Sequence, residues 1–267
     1  MNGLEASSEP VLRFSIFAFL LLFLFFMELA SPRRKALYSK SKRWITNFGI
    51  SATNTFMVSV FLPAIGIGAA VLSQHNEWGL FNFIDLSPWI SIPLYLLIFD
   101  LTFYCQHRLF HSIKPLWKLH RMHHADLDYD LSTGIRFHPL SVIISSLIKL
   151  SLILILGPLA IAVLIADIVL NTTSMFNHSN WKLPTKLDAI LRLIVVTPDV
   201  HRVHHSTDPS EFSCNFGFNF PWWDRIFGTY KAQPNLNHPE MKIGINELQD
   251  SKSIEYLHLL AQPFTKD

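Results

Sequence analysis

The sequence predicts an all-α integral membrane protein, and three observations carry that expectation. Half of its 267 residues are hydrophobic, 22 are Phe, and the mean hydropathy is +0.28. Soluble domains are seldom so apolar. Apolar runs recur along the chain at about the ~20 residues that a helix needs to cross a bilayer. Lys and Arg crowd one loop between runs and are missing from the next, the asymmetry of a chain that crosses more than once. The formal charge of +2 brings no basic face with interleaved aromatics, so nucleic acid is not an expected partner. Two cysteines, Cys105 and Cys214, form no C-x-x-C and argue against a disulfide framework or a thiolate metal site. Both read as small buried fillers.

The first run, VLRFSIFAFLLLFLFFMELA (11–30), could be mistaken for a signal peptide. The preceding MNGLEASSEP carries two Glu and no Lys or Arg, the wrong sign for such a leader, so a retained helix is expected. A second span is expected near 47–72, where Pro63, Gly66 and Gly68 suit a membrane helix. A third covers about 88–106. The run 141–170 is broken by Gly157-Pro158, which predicts either a re-entrant hairpin or two tilted spans. The loop 31–44 holds Arg33, Arg34, Lys35, Lys40, Lys42 and Arg43, whereas 73–88 holds no Lys or Arg. The positive-inside rule puts the first loop in the cytoplasm and the second outside. The third span then returns the chain to the cytoplasm at residue 107, and the hairpin keeps 171–267 there.

That parity gathers the histidines on one face. Ten of the 13 lie between 107 and 205, in HRLFH (107–111), HRMHH (120–124), RFHP (136–139), NHSN (177–180) and HRVHH (201–205). Helix residues three and four apart share a face, so H-x-x-x-H aims two imidazoles one way and H-x-x-H-H aims three. A lone His in an apolar chain is usually a satisfied core or interfacial residue. Two H-x-x-H-H motifs are another matter, since one is expected by chance only about 0.03 times in a chain of this His content. Adjacent buried imidazoles without a metal would also leave several nitrogens needing partners. The candidate ligands are His107, His111, His120, His123, His124, His138, His178, His201, His204 and His205. Ten nitrogens overshoot one zinc and suit two metals at about five each. Spacing alone leaves the metal open among iron, copper, nickel and zinc. His75, His238 and His258 read as surface residues.

In this order the motifs resemble the fatty acid hydroxylase / sterol desaturase superfamily of membrane di-iron oxygenases. The likeness runs from about Asp100 to Tyr230 and comprises DLTFYCQHRLFH (100–111), LWKLHRMHHAD (116–126), RFHP (136–139), FNHSN (176–180), TPDVHRVHHSTDP (197–209) and NFGFNFPWWDRIFGTY (215–230). It implies a core of about four transmembrane helices under a cytosolic His-rich cap holding a di-metal site. It also implies two Fe ions, O2 as co-substrate, a lipid-like substrate and an external electron donor. The sequence carries no G-x-G-x-x-G, so a separate electron-donor protein is the expected partner. Two positions depart from the family pattern: Cys105 stands where Trp is frequent, and Ser141 where Glu is frequent. The expected organisation is N-terminal spans over 1–90, a catalytic domain over 91–230 and a polar C-terminal tail over 231–267.

Two acids are candidates for orienting ligand imidazoles. Asp100 shares a helical face with His107 and His111, and an acid near a span end is costly without a partner. Asp199, two residues before His201, either does the same or caps a helix after Pro198. Tyr104 reads as an interface aromatic or a donor near the ligands, and Asp224 as a brace for the cap. The segment 181–196 places Leu187, Ile190, Leu191 and Ile194 at helical spacing, as in an interfacial helix. The rival to an oxygenase is a non-enzymatic membrane metal-binding or transport protein, although transport sites usually sit at the midplane on broken helices. A haem protein would need His pairs deep in facing helices.

Overall fold

A computed structural model gives the fold and describes residues 9–63, 65–84 and 86–265. The chain runs through α1 (Glu9–Ala30), α2 (Lys40–Phe61), α3 (Ile67–His75), α4 (Leu80–Phe83), α5 (Pro88–Ser112), α6 (Lys114–His124), α7 (Pro139–Leu156) and α8 (Ala160–Asn177). Shorter helices follow: α9 (Thr185–Leu191), α10 (Pro198–His204), α11 (Pro209–Phe212), α12 (Trp222–Ile226) and α13 (Tyr256–Ala261). Among the described residues no β-strand forms. Among the described residues, four helices, α1, α5, α7 and α8, are long and apolar enough to cross a membrane.

The span expected over 47–72 is not one helix. Helix α2 stops at Phe61, Pro63 has no N–H to continue the ladder, and Gly66 takes φ of 82° before α3 begins. The breakers act as breakers there. Arg43, Asn47, Ile50 and Asn54, three or four residues apart, lie on the buried face of α2, which packs on α7 and on the segment just before it. The Gly157-Pro158 break is the turn of a hairpin. Gly157 ends α7 at φ of 62°, and a Cβ there would lie 2.2 Å from the Trp78 carbonyl oxygen. The two arms have 18 residues each, about 27 Å of helix.

The core between these helices is aromatic on one side and small on the other. Tyr95, Phe99 and Phe103 of α5 meet Ile153 of α7 and Val163 of α8, while Ala69, Ala70, Ala162 and Ala166 let backbones approach. A second core ties the C-terminal segment to the cap: Ile245, Leu248 and Leu259 pack with Ile50, Met122 and Ala125. The segment after residue 230 is polar on average, yet its apolar residues are placed to cover α2 and α6. His238 is accordingly buried, not a surface residue. Nor are the cysteines buried fillers: Cys105 is exposed and Cys214 only partly covered. The interfacial candidate is a single short helix, α9, with Leu187, Ile190 and the following Ile194 exposed.

Candidate metal centre

Four elements converge on one point of the cap. The last turns of α5 carry His107 and His111. Helix α6 starts two residues after α5 ends and carries His120, His123 and His124. His178 caps α8, and α10 supplies His201 and His204, with His205 at its cap. Two groups result: His107, His111, His120, His124 and His204 in one, and His123, His178, His201 and His205 in the other. Within each group the ligating nitrogens lie within 4.8 Å of one another. The groups adjoin, since the rings of His124 and His205 stack at 4.3 Å. H-x-x-H-H therefore does more than aim three rings together: each motif splits its histidines between the two groups.

Backbone carbonyls set the tautomers. His107 Nδ1 donates to Phe216 O at 2.9 Å, His204 Nδ1 to Cys214 O at 2.7 Å, His123 Nδ1 to Arg136 O at 3.2 Å and His178 Nδ1 to Ser174 O at 2.6 Å. A carbonyl can only accept, so each of these rings carries its proton on Nδ1 and leaves Nε2 as a bare lone pair. Yet His178 Nε2 faces His123 Nε2 at 3.1 Å. Two lone pairs at that distance repel unless a cation lies between them. His111, His124, His204 and His205 add buried ring nitrogens with no hydrogen-bond partner. Facing lone pairs, orphaned nitrogens and an all-imidazole donor set fit metal ions of the iron, copper, nickel and zinc class.

The cap histidines are neutral. Burial holds His178 down to about 3. Burial, then neighbouring histidines, hold His120, His123, His124, His201, His204 and His205 well below the ordinary 6.5. Neutral imidazole is the form that ligates metal. The sign of the pH dependence follows. Below 6.5 the unfolded chain takes up protons that the folded chain refuses, so stability falls as pH falls. Each such His contributes up to about 1.4 kcal/mol per pH unit. The metal-stripped protein should thus show Tm falling steeply from pH 7.5 to 5.5 in a thermal scan. A flat Tm over that window would contradict the buried neutral cluster.

The acids act one step further out than the sequence reading placed them. Asp100 touches no imidazole. It accepts from the backbone N–H of Asn219 at 3.0 Å and of Phe220 at 3.2 Å, and from Trp223 Nε1 at 2.8 Å. Asp224 accepts from the N–H of Phe216 at 2.8 Å and of Gly217 at 2.7 Å. Together they fix the loop whose Phe216 carbonyl orients His107. Tyr104 joins this brace by donating to Thr229 Oγ1 at 2.9 Å, whose own proton goes to Asp224. Asp199 turns to Arg33 at 2.9 Å and to Arg202, and lies 3.5 Å from the buried His238. Arg202 in turn donates to Ser179 O, beside His178.

His138 stands outside both groups. Its Nδ1 accepts from Leu140 N–H at 3.2 Å as the cap of α7, and its Nε2 donates to Leu260 O at 3.2 Å. Both nitrogens are committed, which leaves it no lone pair for a metal. The sequence reading missed the four carbonyls that hold the rings, since any residue supplies a carbonyl. It also gave no role to Asp126, Asp128 and Asp130, although their alternation directly after HRMHH was a visible signal.

A cavity of about 250 Å³ opens beside His107 and His120, walled by Phe103, Phe110, Phe137 and Phe218. A second, of about 460 Å³, lies along Phe14, Phe17 and Leu20 of α1 and Ile168 of α8. Asn171 borders both.

Comparison with known proteins agrees with this architecture. The family model for fatty acid hydroxylase matches residues 92–229, which contain all nine gathered histidines. Alkylglycerol monooxygenase of Danio rerio is 33% identical over 206 residues, 74% of this chain and 44% of its own length. The human enzyme of that name is 30% identical over 76% of this chain and 44% of its own. Ornithine lipid hydroxylase OlsE of Rhizobium tropici is 31% identical over 83% of this chain and 64% of its own. This chain thus spans less than two thirds of each of these relatives. No solved structure matches.

Proposed function

The chain belongs to the fatty acid hydroxylase family, and we propose that it is a membrane-bound non-haem di-iron oxygenase acting on a lipid. One observation carries the reading: two adjoining sets of buried neutral imidazoles, five and four, bordering an aromatic cavity. The names of the relatives, a monooxygenase and a hydroxylase of lipids, point the same way. His107, His111, His120, His124 and His204 would hold one iron, and His123, His178, His201 and His205 the other. When bound, such a pair supplies activation of O2 toward an unactivated C–H bond, for hydroxylation or desaturation.

The chain's own part is positioning. Burial keeps the rings unprotonated, and carbonyls aim their Nε2 atoms inward. Phe103, Phe110, Phe137 and Phe218 exclude water from the cavity and hold a lipid carbon beside His107 and His120. Electrons come from a separate donor protein. The centre lies on the cytoplasmic face, because Arg33 pairs with Asp199 and Arg43 with Asp126. The basic loop that the positive-inside rule puts in the cytoplasm is therefore packed on the histidine cap.

The test is metal content and O2 consumption by the full chain purified in detergent. Two irons per chain, with lipid-dependent O2 uptake in the presence of a reductant, are expected. One zinc, or no metal in a folded preparation, would overturn the reading. Variable metal without O2 uptake would favour a metal carrier.

A further inference from the structure

Two short segments of the cap share an exposed apolar surface. Leu187, Ile190, Leu193 and Ile194 run as one stripe from α9 into the turn after it, and Ile226 and Phe227 close α12. All six side chains are exposed, Ile190 by 62% and Ile226 by 67%. Hydrogen bonds join the segments. Trp222 Nε1 donates to Leu193 O at 2.7 Å, and Arg225 Nη2 donates to Arg192 O at 3.2 Å. The stripe and the end of α12 therefore move as one body.

The level of that body can be measured along α5, one of the helices long and apolar enough to span. Helix α5 begins at Pro88, and Trp89 is 91% exposed, as an aromatic at the far membrane interface would be. Asp100 lies about 18 Å along the helix from Pro88, and Tyr104 about 24 Å. Trp223 Nε1 donates to Asp100 at 2.8 Å, and the Phe227 ring stacks on Tyr104 at 5.4 Å. Both levels fall short of the roughly 30 Å that the hydrocarbon core occupies. Tilting α5 would only deepen them. Leu109, further along, is still an exposed apolar residue. Helix α12 is thus at the depth of lipid, beside α5, and not above the bilayer.

We infer that residues 187–194 and 222–227 form a wedge immersed in the lipid leaflet on the histidine side, so that the bilayer itself covers this face. Charge agrees with that occupant. Within 181–196 and 216–231 the exposed charged residues are Lys182, Lys186 and Arg225, all basic, while the acids Asp188 and Asp224 are buried. An apolar face rimmed by cations complements acyl chains under phosphate head groups. The inference is independent of which metal the cap holds. It gives the cap a fixed height, because the wedge continues directly from the loop of Phe216 and Phe218. The Phe216 carbonyl orients His107, and Phe218 walls the cavity beside it. Immersing the wedge therefore sets that loop, and the cavity with it, against the lipid.

The test is the depth of nitroxide labels on the full chain in nanodiscs of phosphatidylcholine and phosphatidylglycerol. Labels are placed by Ile226→Cys and, separately, Leu193→Cys, in a background of Cys105→Ser with Cys214→Ser. Collision with O2, which partitions into lipid, is compared with collision with a water-soluble nickel chelate. Phe19→Cys in α1 serves as the lipid reference and Leu37→Cys in the basic loop as the water reference; both side chains are 70% exposed. Both wedge labels should lie about 5–10 Å below the lipid phosphates. A depth at or above the phosphates overturns the inference. So does a label that neither reagent reaches, since that would mark a protein partner or a second copy on this face. Ile190→Cys stands in for either position if that variant fails to fold, and the measurement needs neither bound iron nor turnover.

Discussion

His178→Ala should remove one metal per chain, leave the other in place, and lower lipid oxidation by more than the roughly 10–100-fold typical of losing an outer hydrogen-bond partner. His178 belongs to the smaller group, which would fall from four nitrogens to three. It is also the ring that both His123 and His201 face, each at 3.1 Å between Nε2 atoms. His111→Ala gives the contrast. It takes the larger group from five nitrogens to four, and His111 is not among the rings seen held by a backbone carbonyl. That variant should keep both metals with weakened activity. The check is metal per chain by elemental analysis, alongside far-ultraviolet circular dichroism to show that both variants fold. Equal metal content in the two variants would remove the division into a four-nitrogen and a five-nitrogen site.

The histidines were legible because their spacing is a local property. H-x-x-x-H and H-x-x-H-H fix which rings share a helix face; the structure gathers the eight histidines of these motifs, and His178 joins them from the end of α8. What holds the rings could not be read, because the acceptors are the carbonyls of Phe216, Cys214, Arg136 and Ser174. The sequence placed Asp100 on the face of His107, but its partners lie more than a hundred residues away, in the loop before α12 and in α12 itself. His138 sits in a histidine-rich context, and only the C-terminal segment, through Leu260, shows that its second nitrogen is taken. The broken span at 47–72 has a similar cause. Hydropathy averages over a window, whereas Arg43, Asn47 and Asn54 needed to be read as one face. That face has a use: it meets the acids after HRMHH.

Those acids set the largest expected stability effect. Asp126→Ala should lower Tm by roughly 10 °C, corresponding to about 3–5 kcal/mol for breaking a buried ion pair. Asp126 is fully buried and bridges two arginines that are themselves buried. It accepts from Arg43 Nε at 3.0 Å and Nη2 at 2.7 Å, and lies 3.8 Å from Arg136 Nη1. Thr133 Oγ1 adds a fourth contact at 2.7 Å. Burial alone would raise its pKa, but Arg43 and then Arg136 outweigh that and hold the carboxyl well below the usual range. It is therefore charged at any pH where the protein works, and removing it strands positive charge in the interior. Asp130, 2.7 Å from Arg43 Nη1, compensates only one of the two arginines at close range. The loss would also reach the metal centre. Arg136 Nε donates to Met122 O at 3.1 Å, and the Arg136 carbonyl accepts from His123 Nδ1. A displaced Arg136 would thus loosen both the helix that carries His123 and the group that sets its tautomer. Asp126→Asn, which keeps an acceptor for Arg43 and Thr133 while losing the charge, should cost about half as much. Thermal scans in detergent, followed by metal counts on the folded fraction, decide the matter. A Tm within about 2 °C of wild type for Asp126→Ala would mean that α2 is held to the cap by its apolar contacts and not by these charges.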